Sequence, residues 1–71
     1  MIRTSIDTKE LRSLISKSGY KQDYLAKMLE MRRSTFQRKV SGEYEFRIGE
    51  VLRLSSLLNI DKNTREKIFH I

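Results

Sequence analysis

The side chains best suited to binding chemistry in this 71-residue chain are basic and lie close together, from Lys21 to Lys39. This range holds six lysines and arginines against two acidic residues, a local charge of +4 in a chain whose net charge is +6. The following segment, 43–50, carries three glutamates against Arg47 and is locally acidic. Because nucleic-acid phosphates attract clustered lysine and arginine, a polyanion could lie along the first range and would avoid the second.

Few side chains are available for catalysis or metal binding. The chain has no cysteine and a single histidine, His70, which excludes a disulfide framework, a thiolate metal site and a histidine-based triad. No pair of titratable groups at a plausible catalytic spacing remains once the core positions are assigned. A chain of this length covers the inner faces of a few helices but not a deep ligand pocket. We therefore expect a binding surface, with no enzyme activity, no cofactor and no small-molecule substrate.

The length and composition predict a single all-α domain over residues 1–71, with 1–6 as a short N-terminal arm. No proline, internal repeat or low-complexity linker divides the chain. The first residues lack the long apolar run of a signal peptide, and no stretch approaches the roughly 18 apolar residues of a membrane span. We expect a cytoplasmic protein without a membrane partner.

Apolar residues at helical spacing predict four to five short helices. The first ends near 18, a short second helix begins at 21 or 22, and the others lie at about 33–41, 48–58 and 62–69. Their ends coincide with suitable capping residues: Asp7 or Thr8 and Gly19 for the first, Asn59 for the end of the fourth, and Asp61 for the start of the last. Residues 43–47 are predicted to form a loop, although their two-residue alternation also fits a short strand. The fourth helix is apolar on more than one side, which predicts the central core element.

The second and third predicted helices position the basic side chains. Their buried residues are predicted to be Leu25, Ala26 and Leu29 in the second helix and Phe36 and Val40 in the third. The small Ala26 side chain would let another helix cross closely. The tyrosines are predicted to cover the edges of the core, at positions 20, 24 and 44.

The segment from Gln22 to Gly42 resembles the helix-turn-helix of the phage repressor and Cro family, most closely its small phage-encoded members. The matching residues are Gln22 at the head of the first motif helix, Leu25-Ala26 followed by Leu29, Met31 in the turn, Phe36 in the core of the second helix, and Gly42 closing it. The later EFRIGEVLRLSSLLNI resembles the family's fourth helix, so the resemblance extends more loosely over 11–60. It implies a lambda-repressor-like domain whose recognition helix, 33–41, enters the major groove of double-stranded DNA.

The resemblance also implies roles for individual side chains. The positions that face the bases in the family hold Arg33, Ser34, Gln37 and Arg38. Arginine can contact guanine O6 and N7, and glutamine can contact adenine N6 and N7, each for about 1–3 kcal/mol of discrimination. The residues placed to contact phosphates, which fix register and give salt-dependent affinity, are Gln22, Arg32, Lys39 and Ser41. The implied protein is a sequence-specific transcriptional regulator of phage or mobile-element type that binds its operator as a homodimer, on half-sites about one helical turn apart.

Three residues depart from the family pattern. Glu30 stands where the family usually has glycine in the turn, so it must take a left-handed conformation, at a cost of about 1 kcal/mol, or the turn must change shape. Arg32 replaces the usual serine or threonine cap and forgoes roughly 1 kcal/mol. Lys39 stands at a usually apolar position, so either its stem packs along the surface or the helix rotates to turn Val40 inward.

A second interpretation is a protein-binding modulator, an antirepressor that keeps the fold, pairs with another repressor and masks its DNA-binding face. The acidic segment 43–50 after the recognition helix favours it, and so would an exposed apolar patch formed by the C-terminal Ile68, Phe69 and Ile71. The competing expectation is that this tail folds back onto the first or fourth helix. An antitoxin that binds both DNA and protein lies between the two interpretations.

Overall fold

The computed structural model describes residues 6–70, and in this range the chain forms five helices and no strand. The helices are α1 (Thr8–Ser18), α2 (Gln22–Met28), α3 (Arg33–Val40), α4 (Ile48–Leu57) and α5 (Lys62–Phe69). The predictions of an all-α fold and of a loop at 43–47 are confirmed. None of these helices is long and apolar enough to cross a membrane. Apart from Ile6, which packs against the core, the predicted N-terminal arm lies outside the described residues.

The first and last helices begin at the aspartates that the sequence offers as caps. In α1, Asp7 Oδ1 accepts a hydrogen bond from the Glu10 amide at 3.1 Å. In α5, Asp61 Oδ1 accepts one from the Thr64 amide at 2.9 Å, and the hydrogen bonds from Thr64 hold the pKa of Asp61 below its ordinary value. Gly19 ends α1 with a φ of 80°, a conformation that glycine adopts without the steric cost of a Cβ.

The core is built from the inward faces of all five helices. α2 packs chiefly against α3, and α1 packs against both α3 and α5. The buried apolar residues are Leu11, Ile15, Leu25, Ala26, Leu29, Phe36, Val40, Val51, Leu54, Ile68 and Phe69. All the buried residues predicted for the second and third helices are in this set. Phe36 lies fully buried at the middle of α3 and fixes that helix to the rest of the domain.

The fourth helix is not the central core element, and that prediction is wrong. α4 buries only one face, whereas Ile48 is 62% exposed and Leu52 is 47% exposed on another. The reason is that the C-terminal tail takes a central position beside α1. Ile68 is fully buried and its carbonyl accepts a hydrogen bond from the Asp7 amide at 2.9 Å.

The two described residues of the predicted C-terminal patch, Ile68 and Phe69, are buried and are not presented to a partner. Phe69 is 4% exposed and its ring packs at nearly a right angle against the ring of Phe46, with 5.5 Å between the ring centroids. Ile68 and Phe69 both contribute to the core, as the fold-back expectation requires. The third residue of the predicted patch, Ile71, lies outside the described residues.

Candidate nucleic-acid interface

A short turn joins α2 to α3 and sets the position of the basic helix. Glu30 adopts φ 59°, the left-handed conformation that is one of the two expected outcomes for this residue. The Met31 amide donates to the Ala26 carbonyl at 3.0 Å, so the turn closes back onto α2. Arg32 is extended at the start of α3 and makes no side-chain cap, as expected from its replacement of serine or threonine.

One face of α3 is exposed while the other is held in the core. Phe36, Lys39 and Val40 lie on the inner face. The four residues predicted to read bases are all exposed and follow the helical spacing of a single outer face: Arg33, Ser34, Gln37 and Arg38. We refer to these four residues as the α3 outer face. Because the buried Phe36 fixes α3 to the core, the four side chains project from a helix that is held in place.

Two side chains of the α3 outer face are bonded to α2. Arg33 Nε lies 3.3 Å from Asp23 Oδ1, in an ion pair that is exposed on both sides. Gln37 Nε2 donates to Gln22 Oε1 at 3.3 Å. Because an amide carries two N–H groups and one oxygen, Gln37 keeps one donor and its acceptor, which is the combination that adenine requires in the major groove.

Tyr44 holds a third side chain of the face, and sequence reasoning missed this role. Arg38 Nη1 donates to the Tyr44 hydroxyl at 2.9 Å, and the guanidinium carbon lies 5.6 Å from the tyrosine ring centroid. The hydrogen bond to the Tyr44 hydroxyl raises the pKa of Arg38, whose guanidinium is in any case charged throughout the physiological range. The amides of Glu43 and Tyr44 both donate to the Arg38 carbonyl, so Gly42 turns the chain back over the end of α3. Tyr44 is 45% exposed, and Tyr20 and Tyr24, predicted to cover core edges with it, are exposed to a similar degree, at 44% and 43%.

Lys39, predicted to contact phosphate, is turned into the protein. The residue is only 9% exposed, and its Nζ bonds Glu50 Oε1 at 2.6 Å. Glu50 also accepts from the Arg47 amide at 2.9 Å. Burial alone would raise the pKa of Glu50, but the Arg47 amide and the Lys39 ammonium together lower it. Val40 is buried, as the expectation of a rotated helix requires, whereas Lys39 is buried too and does not lie along the surface. An ammonium held in this way does not fit a phosphate contact.

The other predicted phosphate contacts remain at the edges of the α3 outer face. Gln22 is half-buried at the start of α2, and Arg32 is exposed immediately before α3. Ser41 is exposed immediately after α3, where its hydroxyl donates to the Arg38 carbonyl at 3.0 Å. These three residues, unlike Lys39, could reach an anion that lies along α3.

The surface as a whole combines positive charge with fixed hydrogen-bonding groups. Three arginines, 32, 33 and 38, lie on or beside this surface, where Asp23 pairs with Arg33 and Glu43 interacts electrostatically with Arg38. Within residues 6–70, no group of three histidine, aspartate or glutamate side chains could hold a metal ion. Such a surface suits an anionic ligand that also offers hydrogen-bonding edges. Comparisons of the chain with protein-family models, curated proteins and solved structures found no match.

Proposed function

We propose that this protein is a sequence-specific double-stranded DNA-binding transcriptional regulator of phage or mobile-element type. The observation that carries the proposal is the α3 outer face, on which Arg33, Ser34, Gln37 and Arg38 are exposed together while Phe36 anchors the opposite side of the same helix. A helix is narrow enough to enter the major groove, where base edges present donors and acceptors in a distinct pattern for each base pair.

The contacts between side chains around the α3 outer face support base reading. Gln22 holds Gln37 and Tyr44 holds Arg38, so part of the entropy cost of ordering these side chains is met before DNA binds. Gln37 would contact adenine, and Arg38 with its remaining N–H groups would contact guanine. Arg33 would exchange its exposed pair with Asp23 for a base contact, at little cost because exposed ion pairs are weak.

Phosphate contacts would come from Arg32, Gln22 and Ser41 at the edges of the same face. Each phosphate neutralised by a cation contributes about −0.9 to the slope of log affinity against log salt concentration. Lys39 is not included, because its ammonium is already paired with Glu50. The salt dependence should therefore fall on replacement of Arg32 and stay unchanged on replacement of Lys39.

The antirepressor alternative has lost one of its two motivating features. Ile68 and Phe69 are buried, so they offer no apolar patch for a repressor. Glu50 is paired with Lys39, so the exposed acidic residues of the segment are Glu43 and Glu45. Two exposed carboxylates do not specify a protein partner, and we therefore favour DNA binding.

Selection of binding sites from a random duplex library tests the proposal. We expect the protein to enrich a discrete sequence and to bind it at least about 10³-fold more tightly than random duplex. Arg33→Ala and Gln37→Ala should each reduce that ratio by about 5- to 150-fold, which corresponds to 1–3 kcal/mol. Arg12→Ala, which removes an exposed cation from α1, is the matched control and should preserve the ratio. Absence of enrichment, or equal effects of all three variants, would contradict the proposal.

A further inference from the structure

A carboxylate lies at the C-terminal end of α3, where both the helix and a DNA ligand favour a cation. The amides of Glu43 and Tyr44 donate to the Arg38 carbonyl at 2.9 and 3.2 Å, so both residues fold over the last turn of α3. A helix C-terminus has a partial negative charge, which stabilises lysine or arginine and not glutamate. DNA phosphates repel a carboxylate as well. Neither the helix end nor phosphate binding therefore accounts for the charge of Glu43, which is exposed.

Glu43 acts on the guanidinium of Arg38, which Tyr44 already holds. Arg38 Nη1 donates to the Tyr44 hydroxyl at 2.9 Å, and the guanidinium carbon lies 5.6 Å from the ring centroid, within the range of a cation–π contact. The hydrogen bond to Tyr44 raises the pKa of Arg38 most, and the negative charge of Glu43 raises it further. Among the described residues Glu43 forms no close ion pair, so its charge acts through space. Arg38 is thus positioned by Tyr44 and partly neutralised by Glu43.

Partial neutralisation weakens the attraction of Arg38 for phosphate more than its attraction for a base edge. Coulomb attraction scales with the charge of the ligand, and a phosphate carries a full negative charge, whereas guanine O6 and N7 are acceptors on a neutral base. Random duplex is bound almost entirely through its phosphates, so its affinity depends on cations that are free to reach them. A carboxylate beside one of those cations therefore reduces binding to random duplex more than binding to a preferred sequence.

We propose that Glu43 is a specificity-determining residue, which restrains Arg38 from contacting phosphates and so widens the difference in affinity between the preferred sequence and random duplex. The inference rests on the proposed function and deepens it, because it concerns the same α3 outer face. On random duplex, Arg38 must leave Tyr44 and Glu43 to reach a phosphate. At the preferred sequence it stays on Tyr44, and its remaining N–H groups contact guanine.

Glu45 offers a matched control for the charge of Glu43. It lies in the same loop, carries the same charge and is exposed, but it is not among the groups that raise the pKa of Arg38. Its carboxylate should repel DNA in general without acting on the guanidinium. Glu43→Gln and Glu45→Gln each remove one negative charge and keep the side-chain shape, so a difference between them reports the effect on Arg38.

Fluorescence anisotropy titrations of random and selected duplexes at two salt concentrations test the proposal. Glu43→Gln should bind random duplex about 2- to 5-fold more tightly, as expected for the loss of an exposed charge pair, and the selected duplex less than about 1.5-fold more tightly. The slope of log affinity against log salt concentration on random duplex should steepen by up to about 0.9, because Arg38 becomes a phosphate contact. Glu45→Gln should raise both affinities equally and preserve their ratio. Circular dichroism verifies that each variant is folded.

Repetition of both substitutions together with Arg38→Ala completes a double-mutant cycle. Without the guanidinium, Glu43→Gln should change the affinity for random duplex no more than Glu45→Gln does. Equal effects of the two substitutions when Arg38 is present, or an undiminished effect of Glu43→Gln when it is absent, would overturn the proposal. The titrations of random duplex need no preferred sequence. If site selection yields none, the proposed function fails, while these titrations still decide whether Glu43 restrains Arg38.

Discussion

Replacement of Glu50 by glutamine should destabilise the protein more than replacement of Lys39 by methionine. Glu50→Gln keeps the side-chain shape but leaves the Lys39 ammonium, whose side chain is 11% exposed, without its counter-charge. Lys39→Met removes the charge and keeps an apolar stem, while Glu50, 19% exposed, retains the hydrogen bond from the Arg47 amide. Removing one partner of a fully buried pair costs about 3–5 kcal/mol. With this residual exposure we expect about 2–3 kcal/mol for Glu50→Gln and about 1 kcal/mol for Lys39→Met.

Urea denaturation at pH 7, followed by far-UV circular dichroism, measures the change in the free energy of unfolding for each of the two variants. A domain of this size has a stability of roughly 4–10 kcal/mol, so either loss is resolvable. Thermal melts should show a fall of about 4–8 °C for each kcal/mol. The combined Lys39→Met and Glu50→Gln variant should be more stable than Glu50→Gln alone, because it has no unpaired ammonium. Lys27→Met, at an exposed lysine on α2, is the control and should stay within about 0.5 kcal/mol of wild type.

The contribution of the Lys39–Glu50 pair can also be detected in the pH dependence of stability. The folded-state pKa of Glu50 is below its ordinary value of 4.5, so its contribution is complete above that pH and is lost as the pH falls through the folded value. Wild type should lose this contribution under acid conditions, Lys39→Met should lose less, and Glu50→Gln should lack it. Asp61, whose pKa is also lowered, is present in all three proteins and cancels in the comparison.

Two results would refute the conclusion that Lys39 stabilises the fold by pairing with Glu50 and does not contact phosphate. One is a Lys39→Met protein as stable as wild type. The other is a reduced salt dependence of DNA binding in that variant, which would make Lys39 a phosphate contact after all. Arg32→Ala serves as the reference for a lost phosphate contact, since its side chain is exposed at the start of α3.

Three further substitutions have defined outcomes. Glu30→Gly should stabilise by up to about 0.5 kcal/mol in urea denaturation, because the left-handed conformation of a non-glycine residue costs about 1 kcal/mol and glycine loses part of that gain to chain entropy; a loss of stability would contradict this. Tyr44→Phe should leave stability within about 0.5 kcal/mol but reduce the affinity ratio between selected and random duplex, because Arg38 loses its hydroxyl partner; an unchanged ratio would contradict the positioning role. Asp7→Ala should lower stability by about 1 kcal/mol through loss of the α1 cap, and an unchanged melting temperature would argue against that cap.

Local features of the fold were predictable from sequence because their causes are local. The caps at Asp7 and Asp61 depend on a carboxylate three residues before a free amide. The burial of Leu25, Ala26 and Phe36 follows from helical spacing alone. The exposure of the α3 outer face follows in turn, because burial of one side of a helix leaves the other side outward.

Features that depend on how distant elements meet were not predictable in the same way. Lys39 pairs with Glu50 across a loop, and no periodic pattern specifies that the two side chains face each other. The apolar residues of α4 indicated a central helix, but the tail ending in Phe69 fills that position and leaves Leu52 exposed. The role of Tyr44 depends on the turn at Gly42, which brings the ring back to α3.

DNA recognition through the α3 outer face is tested most directly by measuring the proposed contact between Gln37 and adenine. The measurement is a set of titrations in which each adenine of the selected half-site is replaced by 7-deazaadenine, which lacks the N7 acceptor. At one position the wild-type protein should lose about 5- to 150-fold in affinity, equivalent to 1–3 kcal/mol, whereas Gln37→Ala should lose almost nothing. Equal losses in the two proteins at every position would contradict base reading by Gln37.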